Sequence, residues 1–230
     1  MQKVLRYLLA LALLPLALPA TAQAQTTPWA TYITKQQWQA VGKLPGVDRQ
    51  IVSRDIGKLN ESVGIIHRDA VGPTAQAFAE ARGDTGGGGN RQRPPTPDSL
   101  KCGVTSSSRQ SGAGGILHEH QTETYVVVSG GGVLVTGGQI LNGRHTTPES
   151  VVETTLNGPS CSGQIVGDYV SRYVTEGEIV IIPAGTPHGW LSIPDHVDYL
   201  SVRPDPDRVL SDHYINPALD GSEPSIRLQK

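Results

Sequence analysis

Apolar and polar residues alternate in short runs along most of this chain, the pattern of strands with one buried face. Residues 50–56 (QIVSRDI) and 62–68 (SVGIIHR) read as two strands joined by a turn over 57–61. A strand entering through Cys102, the run Tyr125-Val126-Val127-Val128, and residues 170–175 and 199–203 continue the series. Residues 133–136, the Gly137-Gly138 pair and residues 139–141 predict a hairpin. Residues 142–163 look like loop. Two segments break the pattern. Thr34-Lys35-Gln36-Gln37 is a capping box that opens a short helix ending near Gly42, and the alanine-rich 72–81 suggests a second, briefer one. Strands this short, separated by turn signals about every ten residues, indicate an all-β sandwich or barrel carrying a short N-terminal helical arm.

The first residues have a different character. Lys3 and Arg6 precede an apolar stretch from Leu8 to Leu18, and Ala22-Gln23-Ala24 has the form of a leader-peptidase site, so cleavage is expected after Ala24. The stretch is too short and too broken by Pro15 and Pro19 to read as a membrane span. The expectation is a periplasmic or secreted protein with no membrane contact after cleavage. Four segments follow: a leader (1–24), an arm with accessory strands and a Gly/Pro-rich loop (25–98), a barrel (99–210) and a polar tail (211–230) that lies on the surface or swaps onto a partner.

Charge narrows the choice of partners. Loss of the leader with Lys3 and Arg6 takes the formal net charge from −2 to −4, and no basic run remains, so nucleic acid is not an expected partner. The two cysteines, Cys102 and Cys161, both lie in the exported part, where one disulfide between them is the default. The tetraglycine within 83–97 lacks the strand before it and the GK[ST] after it that a phosphate loop requires.

The chemistry concentrates in two stretches. Gly112 to Gly130 carries His118 and His120 two positions apart, so on one strand both imidazoles share a face, roughly 6–7 Å apart at the backbone. Glu119 points to the other face. Glu123 has opposite parity to the histidines and joins them only if a turn or bulge at Gln121-Thr122 resets the register. Gly177 to Ser192 is a short apolar strand, broken by Pro183 and Gly185, that delivers His188. Three histidines and a carboxylate suit a borderline or hard divalent ion. Tyr125 and Trp190 share parity with Glu123 and His188 and are candidates to line the same cavity. Arg203, at the end of a strand, either points into that cavity toward an anionic ligand or caps the strand. His67 reads as a lone surface or satisfied core histidine and not a fifth ligand, and His145 as an exposed histidine of a polar loop.

These stretches resemble the paired motifs of the cupin superfamily. Gly112, His118, His120, Glu123 and Gly130 match the first motif, with a spacer one residue short between His120 and Glu123; Gly177, Pro183, Gly185 and His188 match the second, with Ser192 where that motif has asparagine. The resemblance covers about residues 100–203. It implies a double-stranded β-helix (jelly-roll) barrel, His118, His120, Glu123 and His188 as metal ligands, iron or manganese first with zinc, nickel or copper as alternatives, a small-molecule ligand or substrate, and a homodimer. Three classes of function stay open: a metal-dependent dioxygenase, isomerase or lyase, a small-molecule binder, and a structural domain.

Overall fold

The computed structural model describes residues 30–72 and 97–219; the expected leader, the alanine-rich segment from 73 on, most of the Gly/Pro-rich loop and the end of the tail lie outside them. One helix, α1 (Lys35–Gly42), opens as expected: Thr34 Oγ1 accepts from the Gln37 backbone N–H, and the Gln37 side chain accepts from the Thr34 N–H. Eight strands follow: β1 (Asp48–Asp55), β2 (Asn60–Val71), β3 (Lys101–Cys102), β4 (Gln110–His118), β5 (Glu123–His145), β6 (Ser160–Thr175), β7 (Ile179–Ile182) and β8 (His188–Asp205).

All strand pairs are antiparallel, and their connectivity closes on itself. β8 pairs with β4, β4 with β6, β6 with β5, and β5 with β8. That ring is a barrel, which removes the unpaired edges a sheet would otherwise expose. β2 adds to the free side of β8 and β1 to β2, while β7 pairs with the start of β5. Tyr125, Val127, Leu134, Trp190, Ile193 and Tyr199 alternate inward along β5 and β8 and fill the interior. A second cluster, with Val41, Ile51 and Ile65, seats the helix against β1 and β2.

The expected hairpin at Gly137-Gly138 does not form. Both glycines have positive φ, yet β5 runs on through them, and Gly137 and Gln139 pair with Tyr169 and Val166 of the same neighbour. Two left-handed residues here make a bulge that bends the strand instead of reversing it. The expected loop 142–163 is shorter than its composition suggests: β5 extends to His145, β6 begins at Ser160, and a π-helical turn spans Val152–Leu156 between them. The described part of the tail, up to Leu219, lies against β1 with most of its residues exposed or half-exposed. Asn216 bonds to the Ile51 carbonyl by its backbone and to the Gln50 carbonyl by its side chain, so this part packs on β1.

Cys102 and Cys161 are disulfide-bonded. Their strands flank the end of β5, and the bridge passes directly over Gly143, where a Cβ would lie 2.7 and 2.9 Å from the two sulfurs. A larger residue would separate β3 and β6 from that strand.

Candidate metal centre

Three strand termini meet at one place. β4 ends at His118, residues 119–122 leave the sheet, and β5 resumes at Glu123. The break at Gln121-Thr122 resets the register, so Glu123 faces the interior despite its opposite parity. His188 opens β8 opposite Ile116 of β4. That approach depends on glycine: a Cβ on Gly189 would lie 2.1 Å from the Gly114 carbonyl oxygen, and one on Gly115 would lie 2.6 Å from the His188 carbonyl oxygen.

His118 Nε2 lies 3.3 Å and His188 Nε2 3.1 Å from Glu123 Oε2, and all three side chains are at most 5 % exposed. The three donor atoms lie within 4.8 Å of one another. Each imidazole is held by its other nitrogen. His188 Nδ1 bonds to the Thr186 carbonyl at 3.0 Å; a carbonyl only accepts, so the hydrogen is on Nδ1. Ser160 Oγ gives its hydrogen to the Gly158 carbonyl and so accepts from His118 Nδ1 at 2.8 Å. Burial pushes the His118 imidazole below its ordinary pKa, toward the neutral form. With Nδ1 so engaged, each ring turns its Nε2 toward the same carboxylate oxygen.

The three potential ligand atoms converge on one point, close enough for a single cation to bind all of them. Two ligands each about 2.1 Å from one divalent ion stand about 3.0–3.4 Å apart, the spacing found between each histidine and Glu123. The residues fit a metal. Histidines fixed through Nδ1 by a carbonyl or hydroxyl are the usual support for such ligands.

His120 is not among them. The strand that would have kept it on the face of His118 has already ended, and its half-exposed ring instead pairs with Asp207, which raises its pKa. The donor set is two histidines and one carboxylate.

Glu123 is the hub. Its Oε1 accepts from Arg203 Nε at 2.8 Å, Ser201 Oγ at 2.8 Å and Asn157 Nδ2 at 3.2 Å, while Tyr125 O–H donates to Oε2 at 2.9 Å. Burial alone would raise the carboxyl pKa, but Arg203, with His118 and His188, overrides it and holds the group well below the usual carboxylate range. Burial, then Glu123, drive the Tyr125 phenol well above its ordinary value, so it remains a donor. Arg203 is fully buried and also reaches Asp48 at 2.6 Å; it holds Glu123, and does not line the cavity as a ligand contact or cap the strand. Ser201 and Arg203 share parity with inward-facing Tyr199, a signal readable in the sequence. Asp48, Asn157 and Ser160 come from distant segments and carry no such signal.

The donors open onto a cavity of about 520 Å³. Tyr125 and Trp190 line it, as parity suggested, with Ile66, Val71, Val152 and Leu156 among the apolar wall. His67 and His145 stay outside, paired with Asp198 and with Glu119.

No protein-family model matches the sequence, and a search of curated proteins finds no match. Among solved structures, an oxalate oxidase in complex with glycolate is similar at 12 % identity and a TM-score of 0.30 over 72 % of this chain, which spans 54 % of that protein's length. A protein with a double-stranded β-helix domain from Klebsiella pneumoniae is 13 % identical with a TM-score of 0.33, covering 83 % of this chain and 93 % of its own. The capsular polysaccharide assembling protein CapF from Staphylococcus aureus is 12 % identical with a TM-score of 0.28, over 68 % and 31 %. The closed all-β barrel, with both motifs on its strands and the turns between them, is the fold that the cupin resemblance implies.

Proposed function

We propose that this chain is an exported cupin whose His118, His188 and Glu123 hold one divalent metal ion, and that it is a metal-dependent enzyme acting on a small molecule. The observation that carries the reading is the convergence of two Nδ1-anchored histidines on one oxygen of Glu123. Two histidines and a carboxylate with positions left open favour iron(II) or manganese, and such an ion supplies dioxygen activation or Lewis-acid polarisation of a bound oxygen. The chain's own groups prepare the place. Arg203, Ser201 and Asn157 fix Glu123 through Oε1 and leave Oε2 facing the histidines; the Tyr125 hydroxyl holds a proton against that oxygen; Trp190 and the aliphatic wall exclude water.

One observation favours a second reading, a binding protein without turnover. Among the described lining residues outside the three donors, Tyr125 is bonded to Glu123 and Asp48 is ion-paired through Oδ2 to Arg203, so both already serve to hold the site. Export is supported by the leader-like N-terminus and by the disulfide, which suits an oxidising compartment.

The test is elemental analysis of the mature protein purified without chelator or nickel resin, alongside His188→Ala. About one equivalent of iron or manganese in the wild type, lost in the variant, is the expected result. An intact fold with no metal in the wild type overturns the reading. Product formation on an oxygen-consumption or lyase screen then separates enzyme from binder, since a binder is only stabilised by its ligand.

A further inference from the structure

One cation lines the cavity among its described residues, and the proposed metal chemistry does not use it. Arg68, on β2, reaches the cavity from the side opposite His67, because successive strand residues alternate faces. Its Nε donates to the Tyr199 hydroxyl at 3.1 Å, and that hydroxyl also lies 3.5 Å from Trp190 Nε1. Tyr199 is itself fully buried, with its ring 4.2 Å from Tyr125 and 5.8 Å from Trp190, so the anchor is rigid. A guanidinium held through Nε has its two terminal nitrogens left as a fork. Among the described residues these make no hydrogen bond or ion pair.

Charge points the same way. Glu123 and Asp48 are offset by Arg203 and Arg68, leaving the neighbourhood neutral before any metal enters. A divalent ion held there would add positive charge to a site walled by apolar side chains, where uncompensated charge is costly. An anionic ligand restores the balance.

We infer that Arg68 is a ligand-recognition residue: the cavity takes a small molecule with an oxyanion, a carboxylate or a phosphate, bound bidentately by the Arg68 fork, with its apolar body against Ile66, Val71, Val152, Leu156 and Trp190. The inference rests on the reading of this cavity as the ligand site, but not on turnover.

The experiment measures binding of benzoate, phenyl phosphate and neutral benzamide by calorimetry, to metal-free and zinc-loaded mature protein. Benzoate or phenyl phosphate is expected to bind roughly tenfold to a hundredfold more tightly than benzamide, the range set by a charge-assisted hydrogen-bonded pair. Whichever of the two oxyanions binds more tightly identifies the headgroup. Arg68→Gln is expected to erase the preference while metal content stays at wild-type level. Tyr199→Phe keeps the charge but frees the guanidinium, and is expected to reduce the preference severalfold, which guards against a fold defect in the first variant. A wild-type protein that binds neither oxyanion better than benzamide, or an Arg68→Gln protein that keeps the preference, overturns the inference. Metal content is read separately, so failure of the metal reading leaves the oxyanion preference of the metal-free protein to be judged by itself.

Discussion

Glu123 and Arg203, 80 positions apart, form a buried ion pair with Arg203 Nε 2.8 Å from Glu123 Oε1. The arginine continues to Asp48 at 2.6 Å, so one guanidinium ties the first strand of the sheet to the hub of the site. Removing it would strand a carboxylate in a dry interior. Arg203→Met is expected to destabilise the fold by about 3–5 kcal/mol, the cost of breaking a buried pair from one side. Urea denaturation measures this. A loss below about 1 kcal/mol would show that the pair contributes little.

Acid should weaken the metal-free protein in two stages. His118 is depressed by burial, so its contribution is full above the unfolded value of about 6.5 and is lost as pH falls through the folded value. Glu123 is held well below its unfolded value of about 4.3, so its contribution is present above that pH and lost lower still. Unfolding free energy of chelator-treated protein, followed from pH 8 to pH 3, is expected to fall first below about 6.5 and again below about 4.3. His118→Gln should flatten only the upper stage.

His120 and His188 should behave oppositely. His188→Ala is expected to release the metal, whereas His120→Ala, altering an exposed ring paired with Asp207, should keep about one equivalent and shift stability by less than about 1 kcal/mol. Metal stoichiometry of the two purified variants decides. Equal loss in both would restore a four-ligand site.

Reduction of the Cys102–Cys161 bridge opens a crosslink spanning 59 positions. Loop-closure entropy on that scale corresponds to about 4 kcal/mol. Cys102→Ser/Cys161→Ser is expected to lose most of that in denaturant titration.

Local sequence determined those parts of this protein whose cause is local. The capping box at Thr34 starts a helix because its two bonds lie within one turn, and the alternation around Tyr125 and Tyr199 marks inward faces because strand geometry has period two. The positions of His118, Glu123 and His188 were legible as two spaced motifs. Which of the histidines meet was decided by the tertiary structure: β4 pairs with β6 only as far as His118, so His120 loses its parity and Glu123 regains it. Gly137-Gly138 likewise bends the chain because both halves of β5 pair with β6, a constraint no two-residue signal contains. Arg203 could face a ligand or a neighbour until the fold brought Glu123 and Asp48 to it. Spacing along a strand fixes which side a residue faces only while the strand lasts, and pairing with distant strands decides where it ends.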